Sequence, residues 1–251
     1  MFEDQFIIIV LLFTIVIFAI ICIANLLNEK NRKNTALIIV DPQNDFCEGG
    51  SLEVPNASMI FPEINKLRNR YSNFNKVFIT KDSHPENHVS FAVNHGKKPF
   101  TNISQEIGNI SYQQDLWPVH CVINTNGCRF HNDLEYHLTD TIIPKGILKE
   151  VDSYSGFGDA FGNKFEKTDL HYQLIKEKIT DVVICGLATD YCVQATALDA
   201  ISYGFNVTII HSTIRGVSKE TTNNAIEKMK KQKVKFYDTV EDYLAHQELI
   251  W

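Results

Sequence analysis

Three short apolar runs constrain this chain more than anything else in it: Ala36-Leu-Ile-Ile-Val40, Val182-Val-Ile-Cys185 and Val207-Thr-Ile-Ile-His211. Each is nearly continuous in apolar residues rather than alternating, the pattern of strands buried on both faces of a parallel sheet. Shorter runs at Lys76–Thr80 and Thr141–Ile143 supply two more candidate strands. Between them lie stretches with helical spacing. Ala57–Tyr71 places Ile60, Ile64, Leu67 and Tyr71 on one face, a second helix runs from Val193 to a stop at Gly204, and a third covers Lys219–Lys231. Strand and helix in this rhythm predict an α/β fold, a doubly wound, mostly parallel sheet with helices on both faces. With 44% hydrophobic residues in 251, one domain over residues 35–251 can bury a full core. Phe91–Asp115 is polar and aperiodic and reads as a long loop.

Ahead of this domain, Phe6–Ala24 carries no charge and a single polar residue, Thr14. As a helix it would cover roughly 28 Å, about the thickness of the bilayer core. Residues 1–27 therefore read as a membrane anchor or signal-anchor helix and 28–34 as a linker. Lys30, Arg32 and Lys33 follow the apolar run, whereas Glu3 and Asp4 precede it, which predicts a membrane-anchored protein with its downstream domain facing the cytoplasm. The alternative is a cleaved signal peptide and the secretory pathway, toward which the sequons at Asn56, Asn102, Asn109 and Asn206 point weakly. A net charge of −6 without a basic stripe argues against nucleic acid as a partner. The six cysteines fit free thiols better than a disulfide framework, since Cys22 lies in the apolar run and Cys185 ends a strand.

In open α/β sheets the working site lies beyond the carboxyl ends of the strands. Asp41 follows the first strand, Asp82-Ser-His84 the second and Lys145 the third, while Cys192 lies in the turn after the fourth, Gly186-Leu-Ala-Thr-Asp-Tyr-Cys192. A cysteine at a helix start has backbone N–H groups and a helix dipole that favour thiolate, so Cys192 is a candidate nucleophile. Read only as a small apolar residue it would pack equally well. Asp41 could accept the thiol proton or cap the turn before Pro42, and Asp45 is the competing carboxylate, read as a turn residue. Lys145 could steady the Cys192–Asp41 pair or be solvated. Asp82 and His84 suit zinc, manganese or iron, His88 lies one turn on, and His120 in Trp117-Pro-Val-His-Cys121 is the best third ligand.

Six ordered pieces resemble the nicotinamidases, within the isochorismatase-like cysteine hydrolases. They are Asp41-Pro-Gln-Asn-Asp-Phe46, Asp82-Ser-His-Pro-Glu-Asn-His-Val-Ser-Phe91, Trp117-Pro-Val-His-Cys121, Lys145-Gly146, Val151-Asp-Ser-Tyr-Ser-Gly-Phe157 and Gly186-Leu-Ala-Thr-Asp-Tyr-Cys192. The resemblance implies hydrolysis of nicotinamide to nicotinate and ammonia through a cysteine thioester, feeding NAD salvage. It implies a triad of Asp41, Lys145 and Cys192, and one divalent metal, zinc before iron or manganese, on Asp82, His84 and His120. It further implies an oxyanion hole from the N–H groups of Ala188 and Cys192, with a cis peptide between Leu187 and Ala188. Phe46 and Trp117 would sandwich the pyridine ring beside Tyr154, with His88 and Asp152 near the metal. A homo-oligomer is compatible with the pattern. Ser83 and Gly156 depart from it, and Ser83 is expected to loosen one pocket wall. Two alternatives remain open: a metal-free amide hydrolase of the same fold, and a membrane-tethered scaffold without catalysis.

Overall fold

A computed structural model describes residues 34–70 and 74–248, together with position 17 alone. Its centre is β1 (Thr35–Val40), in which every residue is buried. Successive side chains of a strand point to opposite faces. Accordingly Ala36, Ile38 and Val40 enter one core and Leu37 and Ile39 the other. The first core is closed by α2 (Leu170–Lys176), α3 (Gln194–Ser202) and α4 (Lys219–Lys231), through Leu170, Leu174, Ala197, Ala200, Ala225 and Met229. The second is closed by α1 (Phe61–Arg70) and α5 (Val240–Glu248), through Phe61, Ile64, Leu67, Val240 and Tyr243. Fully burying one such Leu or Ile stabilises by about 1.5–3 kcal/mol, so neither layer is dispensable.

The sheet contains β2 (Phe74–Asp82), β5 (Thr141–Lys145), β6 (Asp181–Leu187), β7 (Asn206–Arg215) and β8 (Lys235–Tyr237) besides β1, in the order β5-β2-β1-β6-β7-β8, all parallel. From β1 the chain moves outward to β2 and β5, then crosses to the other side of β1 for β6, β7 and β8. The crevice beyond the carboxyl ends of β1 and β6 is therefore the topological switch point, where ligands bind in such sheets.

Several elements differ from the sequence expectation. Phe91–Asp115 is not a plain loop: β3 (Thr101–Ile107) and β4 (Ile110–Leu116) pair antiparallel as a separate two-stranded sheet. Both strands are largely exposed, so no apolar alternation marked them. The helix expected over 57–71 divides into a 3-10 turn, Ala57–Ile60, and α1. β8, α2 and α5 are short elements that went unread. The apolar segment Phe6–Ala24 lies, but for position 17, outside the described residues, as does nearly all of the linker. Among the described residues no helix is long and apolar enough to cross a membrane. The expected membrane-anchored localisation is corrected to that extent: no described helix spans a bilayer, and the buried apolar clusters of the described residues pack between the sheet and its own helices.

Gly186 shows how tightly the switch point is drawn. Its φ is +112°, and a Cβ there would lie 2.1 Å from the Val40 carbonyl oxygen, beside Asp41. Gly186→Ala is expected to lower unfolding stability by about 3 kcal/mol or more, read from urea denaturation.

Candidate active site

The register of β2 against β5 sets Asp82 beside Lys145. Asp41 leaves β1 with a left-handed φ of +46°, and its amide donates to Thr80 Oγ1 at 3.1 Å while that hydroxyl donates back to Asp41 Oδ1 at 2.6 Å. These local constraints bring three strand ends onto one ammonium group. Lys145 Nζ lies 2.9 Å from Asp41 Oδ2, hydrogen-bonds Asp82 Oδ1, donates to the Ser153 carbonyl at 3.0 Å and sits 3.4 Å from Cys192 Sγ. Asp41, Lys145 and Cys192 are all buried. Asp41 Oδ2 receives no well-directed hydrogen bond despite the nearby ammonium, which leaves a lone pair for the thiol proton.

Electrostatics assign the resting protons. Burial raises the Asp41 pKa to about 6, against the opposing pull of Lys145. Burial alone would lower that of Lys145, but the carboxylates of Asp41 and Asp82 outweigh it and keep the amine an ammonium. Burial also holds the Cys192 thiol well above its usual value, although Lys145 pulls the other way. Burial thus favours the thiol form of Cys192 at rest, the form whose proton Asp41 is expected to accept. Cys192 lies in a π-helical turn, Thr189–Val193, that leads into α3. The peptide between Leu187 and Ala188 is cis.

Asp82 faces two ways. Its Oδ1 holds Lys145, and its Oδ2 lies 3.5 Å from His84 Nε2. Asp82, His84 and His120 bring one ligand atom each to within 4.8 Å of one another. His84 Nδ1 bonds the Gly146 carbonyl and His120 Nδ1 the Pro118 carbonyl, both at 2.8 Å. Because a carbonyl only accepts, each Nδ1 carries a proton and each Nε2 is turned to the cluster, the usual arrangement of metal-binding histidines. Burial, then the neighbouring His84, lowers the His120 pKa to about 4, so it is neutral. Against the effect of burial, the carboxylate that Asp82 turns to the cluster raises the His84 pKa, a negative charge that a dication would offset instead. The donor set thus fits a divalent ion. His88 does not join it: Nδ1 bonds Ser90 Oγ at 2.7 Å and Nε2 the Val151 carbonyl at 3.1 Å, while its ring stacks on His84 at 4.1 Å.

Beside the two clusters opens a cavity. Phe46, Trp117, Tyr154 and Tyr191 wall it, with Cys192, Ala188, Asp82, His120 and Asp152 also on its surface. Trp117 Nε1 donates to the Tyr154 hydroxyl at 3.0 Å, and Trp117 meets Tyr191 edge-on with centroids 5.1 Å apart. Ser83 does not line this cavity. Asp45 is a turn residue, accepting the Cys121 amide at 2.7 Å. Sequence reading passed over Gln43, whose side-chain amide brackets the Asp82 backbone: Oε1 accepts the Asp82 N–H at 2.7 Å and Nε2 donates to its carbonyl at 2.8 Å. Its place between Asp41 and Asp45 was the available signal.

A model of the isochorismatase domain matches residues 35–241. The chain belongs to the isochorismatase family. Within that family it is 41% identical to the nicotinamidase of Acinetobacter baylyi over 192 residues, 76% of this chain and 86% of that protein. The crystal structure of the yeast nicotinamidase bound to the inhibitor nicotinaldehyde superimposes with a TM-score of 0.77 at 32% identity, covering 82% of this chain and 100% of the other. The pyrazinamidase of Pyrococcus horikoshii in complex with zinc gives 0.67 at 35% identity, covering 82% and 99%. The isochorismatase match begins downstream of Phe6–Ala24 and offers nothing that supports membrane attachment.

An Asp41 that must be ionised to accept a proton predicts an acid limb. The kcat/KM for the preferred amide should fall as pH drops through about 6 and level off above it, measured as a pH–rate profile.

Proposed function

We propose that this protein is a nicotinamidase, hydrolysing nicotinamide to nicotinate and ammonia and so feeding NAD salvage. The observation that carries this reading is the convergence of Asp41, Lys145 and Cys192 at an aromatic cavity shared with a three-ligand cluster. Nicotinamidases at 34–41% identity support the substrate.

In this reading Phe46 and Trp117 hold the pyridine ring, with Tyr154 fixed against Trp117. Asp82, His84 and His120 hold one divalent ion, for which zinc is the first candidate given the zinc complex of the Pyrococcus relative. When bound, the ion supplies a Lewis-acid anchor that orients the ring. Asp41 takes the proton from Cys192 Sγ as the sulfur adds to the carboxamide carbon, and Lys145 steadies the charge between them. In the same reading the amides of Ala188 and Cys192 hold the developing oxyanion. The C–N bond then breaks, Asp41 returns its proton to the departing ammonia, and a thioester remains. Water adds next, again giving a proton to Asp41. The C–S bond breaks, nicotinate leaves, and Cys192 recovers its proton. Holding the reacting atoms in register is worth about 7–11 kcal/mol of barrier in favourable cases, which gives a rigid aromatic clamp its purpose.

The full chain is expected to release ammonia from nicotinamide, and Cys192→Ala to reduce turnover by at least about 10³-fold with the fold intact. Ammonia release from the folded parent in the presence of zinc, iron or manganese checks this; none at all would sink the reading. Asp82→Ala should remove bound metal and activity together, read by metal analysis beside the assay. Retained activity without metal would favour the metal-free hydrolase instead.

A further inference from the structure

We propose that Glu166 is a positioning residue that holds the triad lysine and the metal ligand His84 in one geometry through a single bracketed segment. Its carboxylate is buried and gathers three donors. Gly146 N–H reaches Oε2 at 3.0 Å, Ile147 N–H reaches Oε1 at 2.7 Å, and the Ser153 hydroxyl also donates to Oε2. All three belong to the stretch from Gly146 to Ser153, which Glu166 closes into a loop.

Both ends of that loop bear on the site. The Ser153 carbonyl accepts Lys145 Nζ at 3.0 Å, and the Gly146 carbonyl accepts His84 Nδ1–H at 2.8 Å. Gly146 leaves no slack: its φ is +63°, and a Cβ there would lie 2.4 Å from His84 Cε1. A shift of this peptide must therefore move the imidazole. Glu166 is itself pinned, because its N–H donates to Asp159 Oδ2 at 2.6 Å, and Asp159 also takes the amides of Phe161 and Phe165, each at 2.7 Å. The chain of contacts runs from Asp159 to Glu166, then to the loop, and from the loop to both Lys145 and His84. A carboxylate suits this place because both oxygens accept. An amide would turn one donor toward another N–H, leaving buried groups unpaired.

Only the activity arm of the test rests on the nicotinamidase reading; the zinc arm stands without it. Full-chain parent, Glu166→Gln, Glu166→Ala and Ser153→Ala are compared for zinc dissociation constant by chelator competition, for kcat and KM with nicotinamide at saturating zinc, and for Tm. Removing a partner that orients a ligand typically weakens metal binding about 10–100-fold. That loss is expected for Glu166→Ala, together with a kcat at least about tenfold lower and a KM within about threefold of the parent, as fits loss of positioning rather than of substrate contact. Glu166→Gln should fall between parent and Ala. Should the Ala variant not fold, Glu166→Gln and Ser153→Ala decide, and each must shift both zinc affinity and kcat. Parent-like zinc affinity and kcat with only a lower Tm overturns the proposal, and so does a change in one without the other. A folded parent that binds zinc yet spares nicotinamide sinks the functional reading, while the zinc constants alone then decide Glu166. A parent that binds none of zinc, iron and manganese overturns both.

Discussion

The buried ammonium of Lys145 is the interaction on which the site depends. An uncompensated charge at that depth would cost several kcal/mol, so the lysine is tenable only while Asp41 and Asp82 stay beside it. Those two carboxylates come from different strands, and they meet one lysine only because β2 lies between β1 and β5 and pairs with both in parallel. The sheet order is thus a condition for the charge balance. The balance in turn joins two groups: Asp82 gives one oxygen to the lysine and turns the other toward His84, so the surroundings of Cys192 and the Asp82–His84–His120 cluster share a carboxylate.

The sheet was legible where burial is two-sided. β1 and β6 read as continuous apolar runs because each side chain, up or down, meets a core. β7 read shorter than it is. Ser212 and Thr213 fall in its second half, where the strand approaches the working end and carries polar groups. β3 and β4 have little core to face, and a strand that buries almost nothing leaves no hydrophobic period to detect. α2 spans only seven residues, and length is most of what a helical pattern offers.

In the site, legibility divided along a different line. Asp41, Asp82, Lys145 and Cys192 stand at strand ends, where topology alone singles them out. Gln43 and Glu166 were invisible because their importance lies in partners brought by folding: Gln43 brackets a backbone 39 residues on, and Glu166 a loop about 20 residues back. Their polar side chains resemble those of any surface loop until the acceptors and donors they serve are known. The depth of Cys192 was out of reach for a related reason. A helix terminus can be inferred from sequence, but the depth that outweighs its dipole is a property of the packed molecule.

The place of β1 has a consequence for how the chain is made. Its six residues are synthesised first among the sheet strands, yet its β6 neighbour lies about 140 residues further on, which at 5–20 residues per second is a delay of roughly 7–30 s. During that interval β2 can cover one side of Thr35–Val40 while the other presents an open row of amides and carbonyls flanked by Leu37, Ile38 and Ile39. Such an edge pairs readily with another chain. A ribosome producing this protein therefore carries a sticky half-sheet for most of the translation time, and the strand at the heart of the finished enzyme is the one most in need of shielding before release.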